Sequence, residues 1–213
     1  MSADLTTVER YFPALTAEQL DRLSRLPDLY KEWNAKINVV SRRDIDQILE
    51  HHILHSMVIG RYISFRPGTR IIDVGTGGGL PGIPLAILFP ECHFTLIDGT
   101  GKKIRVTQAI ADAIGLTNVE AVHTRSEEWQ GRYHFIVSRA AMDLSDLVRT
   151  SGHLVDRREQ LNALPNGIIT LKGGDLSEEL RPFRKSVEVT EIRSLYPELE
   201  YYDTKKIIYL PLH

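Results

Sequence analysis

One cysteine, Cys92, stands in 213 residues, so the chain has no intrachain disulfide and no cysteine-rich metal cluster. It lies in the apolar run Cys92-His93-Phe94-Thr95-Leu96-Ile97, where it reads as a small buried thiol. Long apolar runs are also missing, and nothing approaches the roughly 20 residues of a membrane-spanning helix. The N-terminus carries Asp4, Glu9 and Glu18 without a continuous apolar stretch, which excludes a secretory signal and makes a cytoplasmic protein the expectation. Charge of one sign is lacking too. With 26 Lys and Arg against 28 Asp and Glu the formal net charge is -2, so any polyanion must be met by a local patch. There is no internal repeat and no low-complexity segment. What remains is ordinary globular composition, 42% hydrophobic and 25% charged, with length for one domain and a sizeable core.

The first third reads as helical. Thr16-Ala17-Glu18-Gln19 fits a capping box, with Leu15 and Leu20 placed for a hydrophobic staple. Leu20, Leu23, Leu26, Tyr30, Trp33 and Ile37 recur at helical steps, a stripe expected to be interrupted at Pro27. A second helix is expected from about Asp44 to Ile63, with Ile45, Ile48, Leu49, Ile53 and Met57 on its apolar face. From Arg70 the pattern turns to alternating strands and helices. Strands are expected at 70–74, 93–97, 118–123, 133–138 and 167–172, and helices at 83–88, 102–114 and 144–161. The tail, 187–195 and 201–210, reads as a strand pair around Pro197. This alternation implies an α/β fold, a mainly parallel doubly wound sheet of Rossmann-like type with an antiparallel edge. Arg66-Pro67-Gly68 marks the junction, giving an N-terminal helical extension over 1–65 and a Rossmann-like domain over 66–213.

The informative segment is Ile71-Ile72-Asp73-Val74-Gly75-Thr76-Gly77-Gly78-Gly79-Leu80-Pro81-Gly82. A strand runs into a turn almost bare of side chains and then into a helix, at the sheet edge where doubly wound folds bind ligands. Gly77, Gly79 and Gly82 match the dinucleotide fingerprint, a weak signal alone. Asp73 decides between ligands: a carboxylate inside that strand repels a pyrophosphate but suits the ammonium and sulfonium charges of S-adenosylmethionine. Asp98 ends the second strand, where it can accept hydrogen bonds from two ribose hydroxyls. The cofactor candidates are therefore Asp73, Gly75, Gly77, Gly79, Leu80 and Asp98, with Ser126, Glu127 and Arg139 at later strand ends. Ser126 with Glu127 and Glu128 is also good helix N-cap chemistry. Arg139 fits a bidentate clamp on a carboxylate or phosphate, or a plain surface ion pair.

At these residues the chain resembles one family, the bacterial small-subunit rRNA guanine-N7 methyltransferases known as RsmG or GidB. The matching words are Trp33-Asn34 with Asn38, Ser41-Arg42-Arg43-Asp44, His52-Ile53-Leu54, and Asp73-Val74-Gly75-Thr76-Gly77 through Leu80-Pro81-Gly82-Ile83-Pro84-Leu85. They continue in family order with Leu96-Ile97-Asp98, Gly101-Lys102-Lys103-Ile104-Arg105, Arg125-Ser126-Glu127-Glu128, Ser138-Arg139-Ala140 and Leu171-Lys172-Gly173. The resemblance implies S-adenosylmethionine as cofactor, with contacts at Gly75, Leu80, Ser126, Glu127 and Arg139. It implies 16S rRNA or the small ribosomal subunit as partner, and N7 of the guanine usually numbered 527 as acceptor. His55 stands where the family usually has Asp, and Gly99-Thr100 where it has Ser-Leu.

Guanine N7 carries no proton at neutral pH, so such a transfer needs positioning and no general base. No catalytic residue is assigned. The fourth strand ends in Ser138-Arg139 and has no Asn-Pro-Pro-Tyr motif of the exocyclic-amine enzymes. Arg42, Arg43, Lys102, Lys103 and Lys172 are the candidate RNA-binding rim, with Arg105 beside them. His51 and His55, four apart, have metal-compatible spacing but no third ligand, so no metal is expected. A monomer with no membrane association is the expectation. The rival readings are a nicotinamide oxidoreductase and a noncatalytic module that senses the cofactor and docks on ribosomes.

Overall fold

The computed structural model describes residues 4–41, 43–139 and 141–212. The candidate Arg42 and Ala140 lie outside them. Among the described residues seven strands form one sheet in the order β3-β2-β1-β4-β5-β7-β6. They are β1 (Arg70–Val74), β2 (His93–Asp98), β3 (Val119–His123), β4 (Phe135–Arg139), β5 (Gly167–Gly173), β6 (Glu188–Glu191) and β7 (Lys205–Pro211). The first five are parallel, and β7 runs antiparallel between β5 and β6. The tail thus does form a strand pair at the sheet's edge, but the antiparallel member is the inner one. The chain steps outward from β1 to β3 and then returns to β4 on the other side of β1. That reversal opens a crevice at the carboxyl ends of β1 and β4.

The helices are α1 (Thr6–Tyr11), α2 (Ala17–Asn34), α3 (His55–Met57), α4 (Ile59–Tyr62), α5 (Gly82–Leu88), α6 (Gly101–Ala113), α7 (Leu144–Ser151) and α8 (Ser177–Leu180). The period of two along β1 sends Ile71 into the core covered by α2, α5 and α6, and Ile72 and Val74 into the core on the other face with Leu144 and Leu147. The N-terminal helices share the first of these cores with the sheet. Their capping box is present: Gln19 N–H donates to Thr16 Oγ1 at 3.2 Å, and Thr16 N–H to Gln19 Oε1 at 2.9 Å.

Three local expectations are corrected. The stripe is not interrupted at Pro27; α2 runs through it, because Leu23, Leu26 and Tyr30 are fully buried and their packing outweighs the missing hydrogen bond. The helix expected over 44–63 is broken into a 3₁₀ turn (Ile45–Gln47), a wide π turn (Leu49–Leu54), α3 and α4. The hydroxyls of Tyr202, Tyr201 and Tyr196 donate to the carbonyls of Glu50, His51 and Leu54, satisfying this irregular backbone from the far end of the chain. The helix expected over 144–161 stops at Ser151 and closes with a 3₁₀ turn, Gly152–Leu154, after which Val155 bridges to Tyr133.

Candidate functional site

The same alternation that buries Ile71 turns Asp73 toward the start of α5. Asp73 is wholly buried. Its Oδ2 accepts the Thr76 hydroxyl at 2.6 Å and the Gly82 amide at 2.8 Å, tying strand, turn and helix together. Its Oδ1 is buried without a hydrogen-bond partner among the described residues. Burial pushes its pKa up to about 7, although both hydrogen bonds pull the other way. The carboxyl therefore sits behind the glycine turn and not on its open side.

The turn itself is a left-handed backbone: φ is +71° at Gly75 and +60° at Gly77. A Cβ on Gly75 would lie 2.8 Å from the Cβ of Ala141, so the loop after β4 passes directly over it. Gly79 serves differently. A Cβ there would meet Ile83 Cδ1 at 2.4 Å, which makes it a packing glycine, away from the groove. The Gly75 and Thr76 amides both donate to the Ile97 carbonyl at 3.0 Å. Asp98, almost buried at the end of β2, accepts the Gly77 amide on Oδ2 at 3.0 Å and the Thr100 amide on Oδ1 at 2.8 Å.

These residues line a groove of two adjoining lobes along the carboxyl ends of β1 to β4. One, of about 380 Å³, is bounded by Val39, Gly75, Gly77, Leu80, Asp98, Lys103 and Arg139. The other, of about 270 Å³, shares Gly75, Asp98 and Met142 and extends to Arg125, Ser126 and Glu127. Ser126 is buried and donates to Glu127 Oε2 at 3.1 Å; the two sit in a turn, so no helix follows for them to cap. Arg139 donates from Nη1 to His52 Nδ1 at 2.8 Å, and among the described residues no carboxylate comes within ion-pair distance of it. Burial and this guanidinium pull His52 down to about 3, so the imidazole is neutral and free to accept. The half-buried arginine keeps its charge for something else.

Sequence reasoning missed the part played by the N-terminal segment. The Tyr30 hydroxyl donates to the Gly78 carbonyl at 2.9 Å, and Val39 packs where a Cβ on Gly78 would be. Asn34 holds that loop, with Oδ1 accepting the Val39 and Val40 amides and Nδ2 donating to the Val40 carbonyl. The signal was present in Trp33-Asn34, but only as a resemblance. His55 is buried against the rings of Tyr201 and Tyr202, and His51 stacks on Tyr201 at 3.7 Å. Burial, then the Arg139 charge, hold His55 well below the usual imidazole range.

Of the expected rim, Lys103 borders the groove, while Lys102, Arg43 and Arg105 are exposed. Lys172 does not belong to it. Its Nζ is buried, paired with Glu179 Oε1 at 2.7 Å and donating to the Met142 carbonyl at 2.7 Å. The same Glu179 oxygen accepts the Leu144 amide at 2.8 Å. Lys172 and Glu179 thus clamp both ends of the segment that roofs the groove, a structural use that a lysine after a strand does not announce.

The family model described as rRNA small subunit methyltransferase G matches residues 19–201. The ribosomal RNA small subunit methyltransferase G of Porphyromonas gingivalis is 50% identical over 205 residues, 96% of this chain and 92% of that protein. Its counterpart in Bacteroides thetaiotaomicron is 50% identical over 200 residues, 94% of this chain and 96% of that protein. Among solved structures, the magnesium protoporphyrin IX methyltransferase of Synechocystis PCC 6803 with bound SAM aligns over 93% of this chain and 99% of that one, with TM-score 0.60 and 12% identity. A SAM-dependent methyltransferase from Aquifex aeolicus aligns over 74% of this chain and 89% of its own length, with TM-score 0.53 and 11% identity. At such identities the likeness is one of fold.

Proposed function

This chain belongs to the rRNA small subunit methyltransferase G family, and from that premise we propose that it moves a methyl group from S-adenosylmethionine to N7 of a guanine in 16S rRNA, position 527 by family resemblance. The observation that carries this is the groove at the carboxyl ends of β1 and β2, where a bare left-handed turn lies between two carboxylates. The donor set fits the cofactor. Two lobes of about 380 and 270 Å³ match a small-molecule site in size. Asp98 keeps free lone pairs beside its two amide bonds for a ribose diol, and the unpaired Arg139 suits the carboxylate of an amino-acid moiety. Asp73 lies buried behind the turn, where its ionised form favours a cationic ligand over a diphosphate.

When bound, S-adenosylmethionine supplies an activated methyl on a sulfonium. What this chain adds is placement. Gly75 and Gly77 bring backbone close to the ligand, Leu80 and Met142 shape the walls of the groove, and Ser126 and Glu127 face its second lobe. Gly79 and Asp73 act from behind, by holding the turn. Guanine N7 brings its own lone pair, so no side chain has to remove a proton, and positioning supplies the rate. Lys103 borders the groove, and with the exposed Lys102 and Arg43 it supplies cations to meet RNA phosphates. The acting unit is a cytoplasmic monomer working on 16S rRNA or the small ribosomal subunit.

Tritiated S-adenosylmethionine, incubated with the protein and either naked 16S rRNA or small-subunit particles, tests the reading. Label at a single guanine, located by the strand scission that N7 methylation permits, is the expected result. Label confined to protein or small molecules would remove the RNA assignment and leave the fold and groove as they are.

A further inference from the structure

Cations also gather at the opposite edge of the sheet, where β4 and β5 begin. Exposed Arg132 precedes β4, and its Nη1 donates to the carbonyls of Gly131 and His153, each at 3.0 Å. With Arg157 and Arg158 it borders an open groove of about 510 Å³. A second groove, of about 760 Å³, lies between Arg184 with Lys185 and the end of β7. The two adjoin. Leu212, which lines the second, has its Cδ1 3.7 Å from where a Cβ on Gly152 would be, next to His153 of the first. The Leu212 amide donates to the Asn166 carbonyl at 3.0 Å, and the Asn166 side chain donates to the Asp156 carbonyl at 2.7 Å.

The acids nearby are already engaged. Asp156 and Glu159 pair with Arg70, Glu178 with Arg181, and Asp146 with Arg149. Among the described residues, Arg132, Arg157, Arg158, Arg184 and Lys185 have no carboxylate within ion-pair distance. In a chain of net charge -2 such a surplus is local, and it is made mostly of arginine, whose planar fork suits phosphate.

We propose that this edge is a second RNA-binding surface, which grips the sugar–phosphate backbone of the substrate at a place remote from the methylated base. The proposal rests on the RNA reading above. Strands of this length, at about 3.3 Å per residue, set the two edges roughly 20 Å apart, so only a large folded RNA engages both.

The test compares the full-length wild type with Arg132→Glu/Arg157→Glu/Arg158→Glu, and with the milder triple change to Gln should the first variant fail to fold. Naked 16S rRNA, small-subunit particles and a short hairpin holding the target loop are titrated across a range of salt, and cofactor affinity, kcat and KM are measured beside them. For naked rRNA and particles the log–log salt slope should fall by about 2 to 3, since each lost phosphate contact removes roughly 0.9. KM for both should rise tenfold or more, while kcat, cofactor affinity and all constants for the hairpin hold. An unchanged slope and KM on the large substrates would overturn the proposal. So would a loss seen on particles but not on naked rRNA, which would assign the edge to a protein partner. If the wild type methylates no RNA yet the slope still falls on naked rRNA, it is the methylation reading that fails and not this surface.

Discussion

The two banks of the groove are built in opposite ways. Along β1 and β2 the site is held by bonds to its own backbone: Asp73 to the Gly82 amide, Asp98 to the amides of Gly77 and Thr100, and the Ile97 carbonyl to Gly75 and Thr76. Along β4 and β5 it is held by side chains of other elements: His52, 87 positions away, on Arg139, and Glu179 of α8 on Lys172 and on the Leu144 amide, 35 positions away. Arg139 and Lys172 end neighbouring strands, yet one keeps an unpaired charge at the groove and the other spends its charge in the interior. A strand-end cation is thus defined by its partners, which strand position does not reveal. The first bank draws mainly on β1, its turn and β2, with Tyr30 and Val39 behind Gly78, whereas the second depends on the side chains of His52 and Glu179.

The largest effect is expected from breaking the second bank's clamp. Glu179→Gln strands the buried Lys172 charge, and Lys172→Met strands that of Glu179 and strips the Met142 carbonyl of its partner, each at a cost of about 3–5 kcal/mol. Urea unfolding should show this as a lower midpoint, with the double variant recovering part of it. If either single change leaves the midpoint unmoved, the clamp does not hold the roof. On the first bank, Gly75→Ala adds left-handed strain of about 1–2 kcal/mol to its collision with Ala141. Pairing it with Ala141→Gly should restore part of the cofactor affinity but not the lost stability, and full restoration of both would show that the turn tolerates a side chain. Asp98→Ala should weaken cofactor binding by about 1–3 kcal/mol in calorimetry, and an unaltered affinity would take Asp98 out of the site.

The same contrast explains what could be read from the sequence. The strands β1, β2 and β5, the glycine turn, Asp98 and the doubly wound order follow from short-range patterns: apolar runs, glycines and an acid at a strand's end. The π turn at Leu49–Leu54 does not, because the tyrosine hydroxyls that satisfy it lie some 150 positions away. Nor does the burial of Lys172, which depends on Glu179 in α8. Gly79 was legible as a glycine the turn needs but not as one needed for Ile83. The role of Tyr30 was hidden because a tyrosine on an apolar stripe looks like any other core residue until its hydroxyl finds the Gly78 carbonyl.

The smallest expected effect on cofactor binding is also the sharpest probe of the first bank, because it titrates. The native Asp73 carboxyl keeps its proton to about pH 7, whereas in the unfolded chain it gives it up near 4. The native state therefore binds more protons between those values, and folding stability falls as pH rises through that window relative to Asp73→Asn. Asparagine keeps an acceptor for the Thr76 hydroxyl and the Gly82 amide, so the turn survives the change. A cationic cofactor in front of the turn favours the anion, which couples binding to proton release: affinity should rise with pH through about 7 and then level, by up to about tenfold. Burial holds His52 and His55 below the usual imidazole range, so both stay neutral and add nothing to the affinity slope, and what they add to the pH dependence of stability is common to wild type and Asp73→Asn. The cofactor's own titration is common to both proteins, so the difference between them isolates Asp73. Calorimetry in buffers of unlike ionisation enthalpy counts the protons directly, and equal counts for wild type and Asp73→Asn at pH 6.5 would mean that the buried carboxyl does not sense the ligand.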